Sequence, residues 1–127
     1  RSQRSPPAAS FMSAALAWWR RTARLSYGEG LAAAGRLPAA IAELSLSVAE
    51  RRSALAAAPT SIERHDALVT GLGALGITLA RSGRIAEGCL LLNEARDVID
   101  RMAKAGQLAP TDIDRVVKGQ QQERARW

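Results

Sequence analysis

The stretch LAAAGRLPAAIAEL, residues 31–44, comes back as LARSGRIAEGCLLL over residues 79–92. Laying Gly28 on Gly76 sets a spacing of 48 residues, and the matches then run on without a gap. Tyr27-Gly28 meets Leu75-Gly76, Leu31 meets Leu79, Gly35-Arg36-Leu37 meets Gly83-Arg84-Ile85, Ala40 meets Gly88, Leu44 meets Leu92 and Ser47 meets Ala95. Each matched position has a physical reason. A glycine within a helix lets a neighbouring helix come close, a glycine after a helix takes the left-handed conformation that ends it, and the leucines between them share one face. A chain that uses one helical hairpin twice is expected to stack the two copies.

Composition points the same way. Of 127 residues 26 are Ala and only five are aromatic, so the 47% of hydrophobic residues is mostly Ala and Leu, which favour helices over strands. The length suits one domain with its own core. The fold class expected is all-α. Cys89 is the only cysteine and cannot close a disulfide within the chain, so a reducing, cytoplasmic setting is expected. The apolar run at 14–19 is closed by Arg20 and Arg21 and is far shorter than the roughly 20 residues that span a bilayer, so no membrane span is expected. The sequence starts with Arg1 rather than Met, and a piece of a longer protein is expected.

Gly and Pro punctuate the chain into about five helices. Residues 1–9, RSQRSPPAA, read as a disordered lead, and Ser10 as the N-cap of a long helix ending at Gly35. Pro38 suits the first turn of a second helix running to about residue 57, where APTS breaks it. Thr60 or Ser61 caps a third, which Gly83 ends, and a fourth covers about 86–105 and stops at Gly106. Pro110 and Thr111 precede a short fifth helix. The helical domain is thus expected over 10–119, with a fraying polar tail at 120–127.

The order bulky, Gly, Leu, Gly, apolar, small, Leu resembles the tetratricopeptide (TPR) repeat, a helix-turn-helix unit. The family's period is about 34 residues, so the spacing of 48 corresponds to elongated repeats, with about two extra turns on each of two antiparallel helices. The early Trp of the family is here Arg24 and Leu72, and its closing Pro falls on Arg52 and Asp100. The resemblance implies a short TPR-like solenoid and a protein-protein interaction module, a scaffold or regulatory domain of a larger bacterial protein in a signalling context. It also implies a groove on the first helices, lined by Thr22, Leu25, Ser26, Glu29, Ala32 and Ala33, then Thr70, Gly73, Ala74, Ile77, Ala80 and Arg81. Leu25, Glu29, Gly73 and Ile77 stand where the carboxylate-clamping members carry Lys, Asn and Arg, which argues against a chaperone-tail adaptor. The groove suits a protein or peptide partner, an apolar helix or a second copy of the chain, and the chain's own ends are an equal alternative.

WWRRTAR, residues 18–24, offers a second surface. Trp18, Trp19, Arg20, Arg21 and Arg24 combine the residue types of binding hot spots, and aromatics among arginines can also stack bases beside phosphates. Packing of a Trp with a solvated Arg face beside Glu29 and other acids is the plainer expectation, nucleic acid the lesser one. The net charge of +6 carries little weight, because 16 of the 18 basic residues are Arg, as base-biased genomes produce. No catalytic, metal or cofactor site is expected. His65 is the only His and its neighbour Asp66 does not share its helix face, Cys89 reads as a small buried filler, and no Gly-rich phosphate loop or calcium-loop spacing occurs.

Overall fold

The computed structural model describes residues 8–106 together with Lys118, Gln122 and Ala125, and of residues 8–11, 13–15, 17–19 and 21 it describes the backbone alone. The described residues form four helices: α1 (Ala8–Ala33), α2 (Leu37–Ala57), α3 (Ile62–Arg81) and α4 (Ile85–Lys104). The all-α class holds for them. Apart from Lys118, Gln122 and Ala125, the expected fifth helix and polar tail lie outside the described residues, as do residues 1–7 of the lead.

The two hairpin turns are built from the same bonds. After α1, Gly35 has φ +79°, its N–H donates to the Ala32 carbonyl at 3.0 Å, and the Arg36 N–H donates to the Leu31 carbonyl at 2.9 Å. Forty-eight residues on, Gly83 has φ +95°, its N–H donates to the Ala80 carbonyl at 3.0 Å, and the Arg84 N–H donates to the Leu79 carbonyl at 2.9 Å. This pair of bonds closes a helix whose last carbonyls would otherwise lack donors. Arg36 and Arg84 then cap α2 and α4 through backbone alone, with φ, ψ of −87°, 65° and −89°, 62°. Arg84 also donates to Glu87 through two guanidinium nitrogens, and this hydrogen bond holds the exposed Glu87 carboxyl below its usual range.

The corner between α2 and α3 works differently. Ser61 Oγ accepts the Arg64 N–H at 3.2 Å and caps α3. Arg64 Nη1 donates to the Ala54 carbonyl at 2.6 Å, and Arg51 Nη1 donates to the Ala67 carbonyl at 2.6 Å, so each helix sends a guanidinium to the other's backbone. Ala54 is among the last four residues of α2, and its carbonyl has no donor further along the helix.

Packing is sequential: α1 lies on α2, α2 on α3 and α3 on α4, with α1 touching α3 lightly. One core cluster draws Leu25 from α1, Leu44 and Val48 from α2, Leu68, Leu72, Leu75 and Leu79 from α3, and Ala95, Val98 and Met102 from α4. Two glycines set the helix separations. A Cβ on Gly28 would meet the Leu44 side chain at 2.8 Å, and one on Gly76 would meet the Gly88 carbonyl oxygen at 2.9 Å and Leu92 Cγ at 3.0 Å.

One boundary and one burial depart from the sequence reading. α1 starts at Ala8, so Ser10 lies inside the helix instead of capping it. The Ala8-Ala9 pair costs nothing in helix propensity, and the helix extends through it. Cys89 is half-buried rather than enclosed.

Candidate interaction groove

α1 and α3 are the first helices of the two hairpins, and the face they share carries two hollows. A pocket of about 140 Å³ near their C-terminal ends is lined by Glu29, Ala32, Ala74, Ile77, Thr78 and Arg81. A larger one of about 380 Å³ is lined by Thr22 from α1, Arg51 and Ala54 from α2, and Glu63, Arg64, Asp66, Ala67 and Thr70 from α3. The two differ in chemistry. The first has an apolar floor of Ala32, Ala74 and Ile77 with Glu29 and Arg81 beside it, while the second is mostly polar.

The groove positions expected from the sequence divide by burial. Ser26, Glu29 and Arg81 are exposed, and Gly73 and Ile77 are half-buried. Leu25, Ala32 and Ala80 are buried, with Leu25 only 8% exposed and part of the main core. Of these three Ala32 still forms pocket floor, whereas Leu25 is a core residue and not a contact for a partner. The reason is angular: α1 packs on α2 and leans on α3, so the residue between those two directions is closed over. Gly73 lies against open space, with nothing within 4 Å of where its Cβ would be.

Arg81 has a second task. Its Nη2 donates to the Ala32 carbonyl at 3.3 Å, placing a cation at the C-terminal end of α1, where the helix dipole favours it. This bond joins the two hairpins at the small pocket.

Arg51 is the residue that sequence reading missed. It is 8% exposed, lines the larger pocket, and holds α3 through the Ala67 carbonyl. The signal was present, because Leu44, Ser47, Val48, Arg51 and Leu55 follow the helical period along one face of α2. A charge placed on such a stripe must find an internal partner.

The Trp-Arg surface is only partly described: Trp18, Trp19 and Arg21 are among the residues given by backbone alone. Arg20 is exposed. Arg24 meets Glu50 at 2.9 Å and Glu43 at 4.0 Å, both on α2 and both among the acids expected beside this face. A shallow hollow of about 330 Å³ lies here, lined by Arg20, Ala23, Arg24, Tyr27 and Glu43.

His65 Nδ1 lies 2.7 Å from the Ser61 carbonyl oxygen, an acceptor, so this nitrogen donates and serves the start of α3. Among the described residues no three His, Cys, Asp or Glu side chains gather as metal ligands do, and no helix is long and apolar enough to cross a membrane. Compared with protein-family models, curated proteins and solved structures, the chain matches none.

Proposed function

We propose that this chain is a non-catalytic protein-protein interaction module, a short TPR-like stack of two elongated hairpins that receives a partner segment along the α1–α3 face. One observation carries the reading. Glu29, Ala32, Ala74, Ile77 and Arg81, taken from both hairpins, line a single pocket between the first helices. The occupant that suits it is an amphipathic helix: small apolar residues over Ala32, Ala74 and Ile77, and polar groups toward Glu29, Arg81 and the wider pocket at Thr22 and Thr70. The recurrence of the turn bonds at Gly35 and Gly83 supports the two-hairpin part of this reading. A scaffold or regulatory role within a larger bacterial protein goes with it.

The competing reading, nucleic acid bound through the first helix, is weakened by the pairing of Arg24 with Glu50, which leaves less free positive charge there. Capture of partners on the immobilised chain, nuclease-treated and washed through a salt series, separates the two. The interaction module predicts retention at high salt, lost in Ile77→Asp and kept when Arg20 and Arg24 are both changed to Gln. The opposite pattern, with binding lost at moderate salt and in the Arg variant alone, sinks the proposal. Leu25 is unsuited to this test, since Leu25→Asp would disrupt the core.

A further inference from the structure

The 48-residue spacing does not stop at the second hairpin. DALVTG, residues 66–71 of α3, is answered by DRVVKG, residues 114–119. Asp66 meets Asp114, Leu68 meets Val116, Val69 meets Val117 and Gly71 meets Gly119. The first residue of α3, Ile62, meets Pro110, and proline suits that first helical position. Four residues, 58–61, join α2 to α3, and five, 105–109, separate the end of α4 from Pro110, so both connections are short enough for an antiparallel return.

Two structural observations agree with this register. Lys118, Gln122 and Ala125 are helical and exposed. Their counterparts are Thr70, Ala74 and Ile77, which line the hollows of the groove. On α4 the informative residue is Ile99, 2% exposed, whose counterpart is Arg51. Arg51 lies on the side of α2 that α3 covers: Nη1 donates to the Ala67 carbonyl, and a Cβ on Gly71 would meet its Cδ at 3.1 Å. Ile99 is closed over within a single chain, so its cover comes from this chain and not from a second copy.

We propose that residues 110–127 form the first helix of a third hairpin, lying on α4 as α3 lies on α2, with Gly119 set against Ile99. The groove then runs over three first helices, and Lys118, Gln122 and Ala125 give it a polar, cationic edge. That use of the helix, unlike its place, rests on the interaction reading above. The same register closes the stack. Gly76, which admits Gly88 and Leu92 of α4, has Arg124 as its counterpart, and Leu72 has Gln120. The positions that would receive a second helix are thus charged and polar, and the stack ends on a half hairpin.

Disulfide trapping in the full chain tests the placement. Val48 Cγ2 is the other α2 group near a Cβ on Gly71, at 3.4 Å, and the counterpart of Val48 is Arg96. In a Cys89→Ser background, Arg96→Cys with Gly119→Cys should close an intramolecular disulfide on mild oxidation. It should form about tenfold faster than with Arg101→Cys and Gly119→Cys, because Arg101 is exposed roughly 140° further round α4. The bond should form unchanged in Ile77→Asp, which damages the groove alone, so the place of the helix and the use of the groove fail separately. In the unaltered chain, amide exchange over residues 113–121 should be about tenfold slower than in a free peptide of that sequence. A disulfide that forms only between chains, one no faster than the Arg101 control, or exchange at the free-peptide rate would each overturn the proposal.

Discussion

Ser47 is 1% exposed, and its Oγ meets no hydrogen-bond partner among the described residues. Its counterpart at the 48-residue spacing is Ala95, fully buried without a hydroxyl. A buried hydroxyl left unbonded costs about 1–3 kcal/mol, and Ala is also the better helix former. Ser47→Ala should therefore raise stability by about 1 kcal/mol in urea unfolding, and a loss would mean that Oγ has a partner in solution. Gly88 carries the opposite expectation. A Cβ there would lie 2.5 Å from the Gly76 carbonyl oxygen and 3.0 Å from the Ala80 nitrogen, both backbone atoms that cannot step aside. Gly88→Ala should destabilise by about 1–3 kcal/mol despite its better helix propensity, whereas Gly73→Ala, in open space, should stabilise by about 0.5–1 kcal/mol. The close approach at Gly28 and Gly76 was legible in the sequence, because a glycine kept within a helix needs a neighbour to justify it. That at Gly88 was legible only through its partner Ala40, and Gly73 has no such neighbour. Arg51 was legible only through its place on the stripe of Leu44, Ser47, Val48 and Leu55, since composition cannot distinguish a buried arginine from a solvated one.

Helix ends were the most readable elements, because they are fixed locally. Gly35, Gly83 and Gly106 all have positive φ, and Ser61 accepts the bond expected of a cap. A left-handed residue bearing a Cβ costs about 1–2 kcal/mol, so Gly35→Ala and Gly83→Ala should each destabilise by that amount. The two costs should also agree closely, as both turns make the same bonds with the same φ sign and have open space where a Cβ would be. Denaturant midpoints for the two variants, measured with unchanged m-values, check this, and a cost confined to one turn would show that the hairpins are not energetic equivalents. The start of α1 was misread because no single residue fixes it: Ser10 offers a cap, yet Ala8 and Ala9 extend the helix at no cost. The groove was half legible. The family resemblance named Ile77 and Arg81, which line one pocket with Ala32, but the fate of Leu25 depends on how α1 settles between α2 and α3, which is a property of packing.

Across the whole molecule α3 occupies the middle position. It supplies Leu68, Leu72, Leu75 and Leu79 to the core cluster and packs on both α2 and α4, while among the described helices α1 packs mainly on α2. Arg52 adds a tie between the hairpins, its Nη2 meeting Glu94 Oε1 at 2.9 Å, although this pair is exposed and worth little by itself. Opening α3 therefore uncovers apolar surface on both sides and is close to global unfolding, whereas α1 can open while the rest of the core remains. Amide hydrogen exchange should rank α3 slowest, at the global unfolding free energy, and α1 faster. Exchange of α1 as slow as that of α3 would instead mean that the four helices open as one unit, and that the exposed outer face of α1 costs the fold nothing.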